Sequence, residues 1–168
     1  MASAPLGRTR APNGRLKHSV FSFELPERIA MPLGRIENES ACIVSDTPAF
    51  VEQRWHADAV FSPEAVERNQ QAIDDLADGQ PYVLLNVFPP AMQVSMELMN
   101  KDHYRERRDT DPVIAIATVV GGETMLAATR LYFMFHPQPF PVGVFEEEGD
   151  AREWLERHAA RAGEGRKA

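Results

Sequence analysis

Two short apolar runs constrain this chain more than anything else in it: "YVLLNVF", Tyr82 to Phe88, and "PVIAIATVV", Pro112 to Val120. Neither alternates polar with apolar. A strand that is apolar on both sides needs cover on both faces, and that is the condition of a parallel strand in a sheet flanked by helices. The segment between them, and the segments around them, must therefore supply helices.

The clearest of these helices is "SPEAVERNQQAIDDLADG". Ser62 is placed to cap it, Pro63 fits its first position, Glu64 its first turn, and Gly79 follows its end. Val66, Asn69, Ile73 and Leu76 with Ala77 form the expected inner stripe. Between the apolar runs, "AMQVSMELMNKDHYRERR" is predicted as a second helix, Met-rich inside and basic toward its end, which suits the macrodipole. After the second run, Gly121 and Gly122 release the chain into a third helix, "ETMLAATRLYFMF", which Pro137, Pro139 and Pro141 must end, since each lacks an N–H. "VGVF" then reads as a short buried strand. Asp150 with Glu153 resembles a capping box for a last helix with Trp154, Leu155, His158 and Ala159 inside.

Upstream, "ACIVSDTPAFVEQRWHADAV" reads as an antiparallel hairpin turning at Asp46, Thr47 and Pro48. Val51, Trp55 and Ala57 would face the core, and Glu52, Arg54 and His56 would face water. "VFSFEL" alternates, with Phe21, Phe23 and Leu25 on one side, before Pro26 and Pro32 break the pattern. The expected class is α/β: a mixed sheet with an N-terminal β-hairpin, then alternating helices and mainly parallel strands joined by right-handed crossovers.

Length and charge set the boundaries. A chain of 168 residues carries one domain, here 19–162, with a basic tail at 1–18 and a short tail at 163–168, both expected to be disordered. Arg8, Arg10, Arg15 and Lys17 give the first eighteen residues +4 of a total of −7, which leaves −11 on the remainder. So acidic a body repels nucleic acid. No apolar run reaches the length of a membrane span, and the N-terminus lacks the apolar centre of a secretory signal. One cysteine, Cys42, excludes an intramolecular disulfide and a cysteine-based metal site, and fits a reducing cytoplasm.

Catalytic signals are absent in kind. No G-x-S-x-G elbow occurs, and Cys42 sits in an apolar strand as an inert thiol. His18, His56, His103, His136 and His158 fall on different segments, so no metal set forms by spacing. "VVGGET" has the glycines of a phosphate turn but no lysine, and Glu123 occupies the place an anion would take. Neither enzyme activity nor a cofactor is expected.

From the hairpin through "FSPEAVERNQQAIDDLADGQPYVLLNV", and from "PVIAIATVVGGETMLAATRLYFMFHPQPFPVGVFEEEGDAREWL", the chain resembles bacterial STAS-like domains, those of sulfate transporters and anti-sigma-factor antagonists. The likeness is to the subgroup also compared with CRAL-TRIO lipid-binding domains. It spans roughly residues 33 to 158. It implies a non-enzymatic regulatory module that binds a protein partner or forms a homodimer, with a carrier of a small apolar ligand or lipid as the alternative. STAS antagonists switch partners by phosphorylation of a hydroxyl at a helix start, and Ser95 is the candidate in that neighbourhood. Val94 replaces the usual acidic neighbour and Asn86 the acid that often ends the strand, so Ser95 is not expected to be an obligatory switch.

The third helix is too apolar for one sheet to cover. If Met125, Ala128, Leu131 or Tyr132, and Phe135 face the sheet, then Leu126, Phe133 and Met134 do not. Phe133, His136 and Phe140 are accordingly the candidate members of a self-association or partner surface.

Overall fold

The computed structural model describes residues 33–47, 49–94, 97, 102 and 112–165. The expected basic tail 1–18, the "VFSFEL" segment, Ser95, His18 and His103 lie outside them.

The chain opens with β1 (Gly34–Glu37), β2 (Ala41–Thr47) and β3 (Phe50–Trp55), followed by a two-residue strand β4 (Val60–Phe61) and the helix α1 (Pro63–Ala77). β5 (Tyr82–Val87) and a two-residue β6 (Gln93–Val94) come next. The second half is β7 (Val113–Val119), α2 (Glu123–Phe135), β8 (Val142–Phe145) and α3 (Glu148–Gly165). Six strands form one sheet in the order β1-β2-β3-β5-β7-β8, and β4 pairs with β6 separately. β1, β2 and β3 are antiparallel, whereas β3–β5, β5–β7 and β7–β8 are parallel. This is the expected mixed sheet, hairpin first.

The two apolar runs are its centre. On β5, Tyr82 and Leu84 turn to one face with Ala41, Ile43, Val51 and Ile116, and α1 covers them with Ala72, Ile73 and Ala77. Val83 and Leu85 turn to the other face with Ala115, Ala117 and Val119, where α3 lays Ala151 and Leu155. Burying one such side chain is worth about 1.5–3 kcal/mol, so these opposed layers hold the sheet between helices.

α1 begins and ends as its sequence requires. Ser62 accepts the Ala65 N–H at 3.3 Å, and the exit runs through Asp78 in the left-handed region at φ 47° and Gly79 at φ 70°. Its buried residues are Ala65, Asn69, Ala72, Ile73 and Ala77, with Val66 and Leu76 only half-buried.

Four local expectations are corrected. Gln93–Val94 is a strand paired with Val60–Phe61, so the second helix does not start at Ala91; the paired backbone wins over the methionine pattern. β1 was not foreseen, because a single apolar residue, Ile36, stands between Arg35 and Glu37. The outer face of β3 is wet only in part: Arg54 is exposed as expected, but Glu52 is buried and ion-pairs with Arg152 of α3. Finally α3 starts at Glu148, which places Asp150 in its first turn and not at its cap.

Candidate interaction surface

α2 enters through the glycine turn. Gly122 adopts φ 83°, where side chains are strained, and a Cβ on Gly121 would stand 3.2 Å from the Pro90 Cα. The turn thus lets two loops leaving adjacent strand ends pass in contact. At the far end the His136 N–H donates to the Tyr132 carbonyl at 2.9 Å, and the proline loop follows. Gln138 ties that loop down, donating to the His136 carbonyl at 2.7 Å and to Asp102 Oδ1 at 3.2 Å.

None of the thirteen residues of α2 is fully buried. Its half-buried line runs Met125, Ala128, Tyr132 and His136, flanked by Leu126, Thr129 and Phe133. The helix is therefore rotated from the expected phase: Phe135, expected on the sheet, is 69% exposed, and Phe133, expected away from it, is half-buried. Leu131 at 45% and Met134 at 67% join Phe135 on the outside, at i, i+3 and i+4, one contiguous apolar stripe.

Two of the three candidate surface residues, Phe133 and His136, lie on the half-buried side of α2 and its exit. The Phe133 and His136 rings both lie against Tyr132, with centroids at 5.2 and 4.8 Å. Phe140 packs on the core cluster under α1. The structure brings Phe133 and His136 together around one ring and places Phe140 apart, on the core cluster.

Elsewhere the structure gathers polar groups of which the sequence marked only Asn69, on the inner stripe of the first helix, and Asn86, at the end of an apolar run. Gln53, Asn86 and Thr118 stand in register across β3, β5 and β7, and all three are buried. Asn86 Oδ1 accepts the Trp55 indole N–H, and Thr118 Oγ1 has no partner among the described residues. At the hairpin end, Asn38 Oδ1 accepts from the backbone N–H groups of Ser40 and Ala41, while Asn38 Nδ2 donates to Asn69 Oδ1 at 2.8 Å. Ser40 Oγ lies 2.9 Å from Asn38 Oδ1 and 3.0 Å from Asn69 Oδ1 as a donor to these amide oxygens, and the residue is 4% exposed. For Gln53, Asn86 and Thr118 the signal was a polar residue at a covered strand position, and for Asn69 a polar residue on the inner face of α1. Among the described residues no group of three His, Cys, Asp or Glu could hold a metal, and no helix is long and apolar enough to cross a membrane.

Comparison with known proteins gives one kind of result. No protein-family model matches the chain, and no curated protein does. Among solved structures it is similar to an uncharacterized protein from the DUF3478 family with a SpoIIAA-like fold, from Shewanella loihica PV-4. The identity is 17%, covering 73% of this chain and 90% of that one, with a TM-score of 0.42. Nothing about activity follows from that likeness.

Proposed function

We propose that the chain is a non-enzymatic, STAS-like regulatory module that acts in the cytoplasm by binding a protein partner through α2. The observation that supports this reading is the stripe Leu131, Met134 and Phe135. Three large apolar side chains at helical spacing stay in water on a helix that buries none of its residues fully. Scattered apolar residues on a surface are ordinary, but a contiguous stripe on one rigid element marks a binding face. Phe133 and His136 pack on the neighbouring Tyr132 ring, and Gln138 ties the proline loop to the His136 carbonyl at the end of the helix.

A photo-crosslinking side chain placed at Met134 in the source cells tests it, with the same group at exposed Gln71 on α1 as the comparison. A discrete adduct from position 134, absent from position 71 and abolished by Phe135→Glu in a folded protein, is the expected result. The same adducts from both positions, or none from 134, would sink the reading.

A further inference from the structure

The two edges of the sheet are unlike. The β1 edge carries Arg35 and Glu37, charged side chains of the kind that guard an edge against further pairing. The β8 edge, Val142–Phe145, has no charge at all, and among the described residues nothing pairs with its outer side. The Ile116 and Val120 N–H groups donate to the carbonyls of Pro141 and Phe145. By the period of two, Gly143 also faces β7, while Val142 and Val144 turn their N–H and C=O groups outward. Pro141 precedes the strand and blocks neither. Immediately after it come Glu146 and Glu147, both exposed.

One segment of the chain has the complementary chemistry. "RLKHSVFSFEL" puts Arg15 and Lys17 just ahead of an alternating run, Val20 to Leu25, and it lies outside the described residues. Laid antiparallel on β8, that run would bring its basic leader beside Glu146 and Glu147. Laid parallel, it would not.

Reach decides whose segment it is. A strand beyond β8 lies six strand spacings from β1, about 29 Å at ~4.8 Å each. From Leu25 to Leu33 there are eight residue steps, at most about 29 Å if perfectly straight, and Pro26, Pro32 and the covering helices forbid a straight path. The chain's own segment cannot arrive.

We propose that the open edge of β8 receives residues 20–25 of a second copy of this chain as an added antiparallel strand, oriented by Arg15 and Lys17 against Glu146 and Glu147. This goes beyond the α2 reading and does not depend on it. Light scattering of the full chain over a concentration series is the test, with circular dichroism as the check on folding. The wild type is expected at twice the chain mass or more, and Phe23→Asp at the single-chain mass with its fold intact. Glu146→Lys with Glu147→Lys should weaken association at least tenfold at low salt, and adding Arg15→Glu with Lys17→Glu should restore it. A monomeric wild type, an associated Phe23→Asp protein, or a charge swap that fails to restore association would each overturn the proposal.

Discussion

Trp55 on β3 donates its indole N–H to Asn86 Oδ1 on β5 at 3.0 Å, and both partners are buried. The same Trp55 ring stacks on Phe88 at 5.6 Å and meets Phe61 edge-on at 4.9 Å. One hydrogen bond therefore fixes the aromatic cluster to the end of the central strand. Replacing Asn86 with Leu leaves the indole N–H buried without an acceptor, which costs about 1–3 kcal/mol. The urea midpoint should fall accordingly, and an unchanged midpoint would show that the bond contributes nothing net.

The next residue in that row behaves oppositely. Thr118 Oγ1 is buried and has no hydrogen-bond partner among the described residues. Thr118→Val keeps the shape and removes the hydroxyl. Stability should rise by about 1 kcal/mol, read as a higher urea midpoint at constant slope. A loss of stability would mean that the hydroxyl is bonded after all.

Arg152 bridges Glu52 and Glu148, and its guanidinium lies 5.7 Å from the Phe50 ring centre. Glu52 is almost closed to water, but Arg54 also contacts it. Arg152→Met removes one of two cations from a buried carboxylate and not the only one. The cost should be about 1–2 kcal/mol, below the 3–5 kcal/mol typical of a fully orphaned buried charge. Adding Glu52→Gln to Arg152→Met should recover part of the loss, and a cycle with no coupling would break the assignment.

The hydrogen bond from Arg54, then that from Arg152, holds the Glu148 carboxyl below its ordinary range despite partial burial. A carboxylate whose folded value is depressed stabilises the fold above its unfolded value, about 4.3, and loses that contribution as pH falls through the folded value. Arg54→Met should flatten the fall in stability between about pH 5 and pH 3. Parallel wild-type and variant curves over that window would contradict this.

What was legible in the sequence is what local chemistry writes alone. Ser62, Pro63 and Gly79 mark α1 because capping needs only neighbours, and the two apolar runs mark β5 and β7 because burial on both faces leaves no polar position free. Glu52 misled, since a charged residue in an alternating strand reads as wet until a helix one hundred residues later supplies its cation. β1 and β6 are too short to show a period, and exist because a neighbouring strand offers its hydrogen bonds. The phase of α2 was unreadable for a different reason: with Leu131, Tyr132, Phe133, Met134 and Phe135 consecutive, every side of the helix is apolar, and only the position of β8 chooses one.

That choice of phase can be tested with two adjacent residues. Phe133 is half-buried with its ring against Tyr132, whereas Met134 is 67% exposed. A glutamate at 133 must bring a carboxylate into the layer between α2 and the sheet, or swing out and leave Tyr132 and His136 unsupported. The lost contact alone is worth about 1–2 kcal/mol for a ring buried in part. A glutamate at 134 meets only water, and surface substitutions of that kind stay within about 0.5 kcal/mol. Thermal unfolding of Phe133→Glu and Met134→Glu, followed by circular dichroism, should therefore separate them, the first losing several degrees and the second almost none. Equal losses would place both residues in the core. The reverse order would restore the phase expected from the sequence, with Phe133 outside and Phe135 on the sheet.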